Sequence, residues 1–291
     1  MNCKVEEYII DEFLQTKIKV YTIGEGKPKI LITGGIHGDE TTGIYVAFKL
    51  KEYLSKRSVN GTVNIIPISN PLAFRSRLRA SPVDGQDLNR VFPGNPSGSH
   101  TAKIAAKIWE IATDADYILD LHCCGQTCYP YILAIHEEYD HVREYVLKIP
   151  LPYVVESSGL RGQLFIEASH QGKPAAIIEM TGGQGIYNPE TAEMLFKGVE
   201  GLLVNLNILE GEKSSLKPKL FGKLKPIIIE SEGFFKPKIK PGVEVGENSV
   251  IGEIEGVGEV KAKIEGLICR VRPPSYVFKG ESIASIAVKI S

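Results

Sequence analysis

Between about residues 29 and 210, short Ile- and Val-rich runs alternate with longer stretches of helical periodicity. The runs KILITGGI (29–36), TVNIIPIS (62–69), YILDLH (117–122), YILAI (131–135) and AAIIEM (175–180) are apolar at consecutive positions. That pattern predicts strands covered on both faces by helices. Helices are predicted over 40–56, 100–113, 137–148 and 189–209. After about residue 211 the pattern changes: GEKSSLKPKLFGKLKP is polar and rich in Lys and Pro, and reads as a linker. Beyond it PIIIESEGFF, GVEVG, SVIGEIEG, GLICRVRPP, YVFKG and SIASIAVKI are short alternating strands punctuated by Gly and Pro. The expected organisation is an α/β domain over 1–212 followed by a small all-β domain over 213–291.

Within the second part, PGVEVGENSVIGEI and PPSYVFKGESIASI are loosely alike. They resemble the two halves of a lipoyl- or biotinyl-type barrel-sandwich domain. The resemblance is one of shape, because the hairpin around Glu255–Glu259 lacks the lysine motif that such carriers modify. A structural or lid role is the expectation.

The chain is long enough for a substantial core, and its 34 Lys and Arg against 35 Asp and Glu leave no basic field for nucleic acid or anionic lipid. Its partners are expected to be small molecules, with homo-oligomers left open. No run approaches the roughly 18 apolar residues of a membrane span. MNCKVEEYIIDEF lacks the basic start and long apolar stretch of a secretory signal, and five cysteines, an odd number, argue against a disulfide framework. The expected location is cytoplasmic.

Candidate chemistry begins with GGIHGDE at 34–40, where a buried strand gives way to a helix, the position at which α/β sheets gather ligands. His37 and Glu40, at i and i+3, can direct an imidazole and a carboxylate to one point, and both suit zinc. The glycines at 34, 35 and 38 permit sharp turns and close backbone approach. A third ligand is available at the end of YILDLH, where His122 follows Asp120 on the same strand face; Asp120 is a candidate to orient it. Three protein ligands leave a fourth zinc position for water. In DGQDLNRVFPG, Asn89 and Arg90 can bind a carboxylate, the arginine through a planar two-point contact. Arg75, Arg77 and Arg79 lie just upstream, and any one could stabilise an oxyanion. Glu179 interrupts the end of a buried strand, a costly position for an acid unless it is paired or used. The remaining histidines, 100, 136, 141 and 170, read as surface or packing residues, and Cys123, Cys124 and Cys128 as small buried apolar ones.

Taken in order, His37-x-x-Glu40, Asn89-Arg90, His122 and Glu179 resemble the pattern of the succinylglutamate desuccinylase and aspartoacylase family, related to the zinc carboxypeptidases. The resemblance covers roughly 20–210, and the β-rich end is similar to that family's carboxy-terminal domain. It implies a zinc-carboxypeptidase-like mixed sheet flanked by helices, followed by the barrel-sandwich-like domain. It also implies one zinc per subunit on His37, Glu40 and His122, a substrate carboxylate held by Asn89 and Arg90, and Glu179 as the base that activates water. Arg79 is implied as the residue that polarises the scissile carbonyl, with Arg77 as the alternative. The chain departs from the aspartoacylase branch before Glu179, since positions 169–178 contain no Tyr or Arg and the nearest arginine is Arg161. The expected reaction is hydrolysis of the amide bond of a small N-acyl amino acid or related compound. The alternatives are a zinc carboxypeptidase acting on peptide ends and a non-catalytic binding protein on the same fold.

Overall fold

The structure is a computed structural model and describes residues 3–290. Its first strands, β1 (Cys3–Asp11) and β2 (Thr16–Glu25), form an antiparallel hairpin outside the runs read from the sequence. There follow β3 (Lys29–Gly34), α1 (Thr41–Leu54), β4 (Gly61–Ile66), α2 (Pro71–Ser76), a 3-10 turn (Leu88–Arg90), α3 (His100–Asp114) and β5 (Tyr117–Cys123). Next come β6 (Tyr131–Ala134), α4 (Asp140–Val146), β7 (Tyr153–Glu156), α5 (Leu164–His170), β8 (Ala175–Met180) and α6 (Pro189–Asn205). The chain ends in strands alone: β9 (Lys219–Ile228), β10 (Gly233–Pro237), β11 (Glu244–Val245), β12 (Val250–Ile254), β13 (Gly258–Lys261), β14 (Gly266–Val271), β15 (Ser275–Val277) and β16 (Ser282–Lys289).

Strand pleat explains the central sheet. Ile30 and Ile32 of β3, Leu119 and Leu121 of β5, and Ala176 and Ile178 of β8 pack with α1, α4 and α6. The intervening Leu31, Ile118 and Ile177 pack with α3 and α5 on the other face. Strands β4, β3, β5 and β8 run parallel as neighbours, β6 joins β8 antiparallel, and β7 continues parallel to β6. The mixed α/β expectation for this part of the chain is therefore met.

The stretch read as a linker is only partly one. Residues 211–218 carry no regular element, but from Lys219 the chain is a strand, β9, which pairs parallel with β7. Its lysines and proline occupy mostly exposed positions, so its polar composition hides Phe221, which is fully buried. Through β9 the sheet runs on into β16, β14 and β11, giving twelve strands in all, and β13, β12, β10 and β15 form a second sheet. Ile227, Phe235, Ile251, Ile268, Val277 and Ile286 fill the space between the two. Among the described residues, no helix is long and apolar enough to cross a membrane.

Candidate active site

The segments that carry the expected chemistry meet at the carboxyl ends of parallel β3, β5 and β8. After β3, residues 35–40 turn tightly before α1. Gly38 makes the turn possible, since a Cβ there would lie 2.0 Å from the Ala73 carbonyl carbon, and its N–H donates to the Leu78 carbonyl at 3.0 Å. Glu40 occupies the N-cap position of α1 but makes no capping bond. Its carboxylate turns inward instead, with Oε1 2.7 Å from His37 Nδ1 and Oε2 3.0 Å from His122 Nδ1. Oε2 also accepts the backbone N–H of Cys123 at 2.9 Å.

The outer ring nitrogens are occupied as well. His37 Nε2 lies 3.0 Å from Asp87 Oδ1, and His122 Nε2 lies 2.7 Å from Asp120 Oδ2. An ionised carboxylate can only accept, so each Nε2 carries a proton and donates it, and each neutral ring keeps its lone pair on Nδ1. The two Nδ1 atoms are 3.1 Å apart and both face Glu40. Three acceptors so close repel one another unless positive charge lies among them. Two imidazole nitrogens and a carboxylate oxygen, with ligand atoms all within 4.8 Å, are the donor set of a catalytic zinc site, and the carboxylates behind the rings fix the tautomer that such a site needs. The residues therefore fit a divalent cation. Without one, protons relieve the crowding. Burial disfavours imidazolium, but Glu40 and Asp87 outweigh it at His37, and Asp120 and Glu40 outweigh it at His122, so both rings are held above the usual histidine range. Burial pushes Glu40 the other way, yet His122 and His37 keep it well below the usual carboxylate range.

The supporting carboxylates are placed by sheet register and by a short turn. Asp120 is fully buried, opposite Thr33 in the β3–β5 pairing, and accepts the Thr33 hydroxyl at 2.7 Å. Asp87 also accepts the Asn89 N–H at 2.9 Å and Arg79 Nε at 3.1 Å. Sequence reasoning passed over Asp87, although its place two residues before Asn89 in the DGQDLNR motif is a signal that could have found it.

Arg79, half exposed, reaches both Asp87 and Glu40, with NH1 3.5 Å from Glu40 Oε1, and it borders the cleft above the histidines. Arg77 instead caps α2 in the left-handed conformation, with φ +54°. Asn89 is buried: its Oδ1 accepts the Leu164 N–H at 3.0 Å and its Nδ2 lies 3.4 Å from His122 Nε2. Arg90 is exposed, donates to the Asn89 carbonyl at 2.7 Å, and is not among the described residues lining the cleft. Arg161 is engaged with Glu167.

Glu179 pairs across β5–β8 with His122 and so shares its face. Its Oε2 is buried without a hydrogen-bond partner. Burial raises its pKa to about 7, with His122 acting against the rise and Glu40 adding to it. The cleft over Glu40 and Glu179 has a volume of about 970 Å³. Its walls include the loop Cys124–Thr127 and, from the β-rich end, Arg270, Arg272, Pro273 and Ser285. Cys124 and Cys128 form a disulfide, contrary to their reading as free apolar residues. Spacing alone concealed this, because the turn after β5 brings their Cα atoms to 6.0 Å, within bridging range. Cys123 remains a buried thiol.

Residues 26–206 match the succinylglutamate desuccinylase/aspartoacylase catalytic domain. The chain belongs to this family. It is 32% identical to the N-alpha-acetyl-L-2,4-diaminobutyric acid deacetylase of Halomonas elongata, an alignment spanning 93% of this chain and 84% of the relative. The product-bound ectoine utilization protein EutE (DoeB) of Ruegeria pomeroyi superposes with a TM-score of 0.81 at 26% identity, over 99% of this chain and 94% of that one. The succinylglutamate desuccinylase/aspartoacylase structure from Rhodobacter sphaeroides gives 0.81 at 24% identity, over 95% and 90%, and shares the fold. The chain is thus a member of a deacylase family whose large mixed sheet it reproduces.

Proposed function

We propose that the chain is a zinc-dependent hydrolase that cleaves the amide bond of small N-acyl amino acids. In this reading a catalytic domain over 1–212 is followed by a C-terminal β domain over 213–291, and one zinc per subunit is held by His37, Glu40 and His122. The observation that carries the reading is the meeting of two carboxylate-backed Nδ1 atoms and the Glu40 carboxylate beside Glu179. Zinc held there supplies a Lewis acid for the attacking water and the scissile carbonyl.

The chain's own side chains do the rest. Glu179 takes a proton from the water and returns it to the leaving nitrogen. Its Oε2, buried and without a hydrogen-bond partner, is free for both transfers. Arg79, steadied by Asp87, stabilises the negative charge that grows on the carbonyl oxygen. Asn89 and Arg90 are the substrate-binding pair that the family resemblance implies.

The Halomonas relative is named for an N-acetylated diamino acid, and an amino acid acylated on its α-amine, with its carboxylate free, is the substrate class we assign. A cleft walled on one side by strands of the β-rich end favours such a compact substrate over a peptide chain. The test is zinc analysis of the purified protein together with amine release from acetyl-, succinyl- and other acyl-amino acids. Trimming of free peptides with no release from the panel would support the carboxypeptidase alternative. Bound zinc with no release from either would support the binding-protein alternative.

A further inference from the structure

A guanidinium projects into the cleft from the β-rich end, and the strand is built to put it there. In β14, Ile268 and Val271 both pack in the core between the two sheets, three positions apart, although strict alternation would send them to opposite faces. A β-bulge between Ile268 and Arg270 resolves this: Ile268 pairs with Ile286, while Arg270 pairs with Ser285 and Val271 with Ala284. Without the bulge, Arg270 would follow Ile268 into the apolar core, where an unpaired charge is prohibitive. With it, Arg270 and its partner Ser285 both line the cleft that holds Glu179.

Arg270 is also anchored to the metal-ligand strand. Residues 127–129, in the loop that leaves β5 just after His122, pair with β14 through Tyr129 N–H to the Cys269 carbonyl at 2.9 Å and Val271 N–H to the Thr127 carbonyl at 3.1 Å. Its neighbour Arg272 is neutralised by Glu281 at 2.8 Å. Arg270 is exposed and makes no ion pair or side-chain hydrogen bond among the described residues. Arg79, the other cationic side chain on the wall, is committed to Asp87 and Glu40. One uncommitted planar fork, aimed by a bulge into the cleft, matches one carboxylate.

We propose that Arg270 binds the free carboxylate of the substrate and so makes the enzyme selective for N-acyl amino acids over N-acyl amines; the proposal rests on the deacylase reading. The test pairs N-acetyl-L-2,4-diaminobutyrate with its carboxamide, which keeps the scissile bond and removes the charge. Wild type should favour the acid, chiefly through KM. Arg270→Met should lower kcat/KM for the acid on the order of 10- to 100-fold while changing the carboxamide little, so that the preference collapses. Arg270→Lys should restore only part of it. Persistence of the preference in Arg270→Met overturns the assignment. If wild type turns over neither compound, the deacylase reading fails separately. Calorimetric titration of the zinc-loaded protein with the same pair then still decides Arg270: acid-selective binding lost in Arg270→Met sustains the proposal, and absent or unselective binding by wild type overturns it.

Discussion

Replacing Asp120 with Asn should weaken zinc binding on the order of 10- to 100-fold without unfolding the protein. The side chain is fully buried and accepts two bonds of 2.7 Å, from the Thr33 hydroxyl and from His122 Nε2. Asparagine fills the same space but can orient in two ways. With its nitrogen towards His122 it donates, so Nε2 must keep the lone pair and the ring proton moves to Nδ1, the atom that has to face the metal. With its oxygen towards His122 the tautomer survives, but the negative charge that raises the ring's basicity is gone. The milder orientation sets the lower end of the range, and a hundredfold loss corresponds to about 2.8 kcal/mol. Competition with a chromophoric chelator would measure the affinity, with circular dichroism to verify the fold. Thr33→Val, which removes one hydrogen bond and keeps the charge, should cost less than Asp120→Asn. An Asp120→Asn affinity within about twofold of wild type would refute the inference that this carboxylate sets the protonation of His122.

Glu179→Gln should reduce turnover by about 10²- to 10⁴-fold with zinc content unchanged; near-normal turnover per folded molecule would remove Glu179 from the mechanism. Gly38→Ala would press a methyl against the Ala73 backbone, 2.0 Å away, and should cost about 1–3 kcal/mol of stability as well as zinc affinity; an unchanged melting temperature would show that α2 yields freely. Glu156, away from the proposed metal ligands, is buried, accepts the Glu137 N–H at 3.0 Å, and is raised by burial from 4.5 to about 7. A carboxyl whose folded pKa is raised contributes stability that is full below about 4.5 and lost as pH climbs through about 7. Glu156→Gln should therefore gain about 1–3 kcal/mol relative to wild type between pH 5 and pH 8, and thermal melts showing the same difference at both pH values would contradict this.

The central sheet was legible because its strands are apolar on both faces, which leaves little else for KILITG or AAIIEM to be. The hairpin of β1 and β2 and the strand β9 were harder to see. They lie towards the edges or at the junction of the sheet, and Lys17, Lys19 and Lys223 break up their apolar pattern. In the site, the sequence motifs pointed to His37, Glu40 and His122, whose ligand atoms the fold brings together. The contacts of Asp87, Arg270 and the Cys124–Cys128 pair are products of tertiary structure. Asp87 meets His37 across fifty positions, and Arg270 reaches the cleft only because one extra residue shifts the phase of β14. Residue type and spacing carry no record of the encounters made by Arg270 and the cysteine pair, whereas Asp87 stood inside the DGQDLNR motif.

Tyr153, Val154 and Val155 of β7 pair with Lys219, Leu220 and Phe221 of β9, so the wall that carries Arg270 is sewn edge to edge to the sheet that carries the histidines. Swinging that wall aside would mean tearing backbone hydrogen bonds out of the middle of a twelve-stranded sheet. On that side the cleft accordingly has a fixed wall. In the proposed deacylase, bulky acyl groups would be sorted by whether they fit against it, and selection for a different substrate would act on the residues along it, not on a hinge.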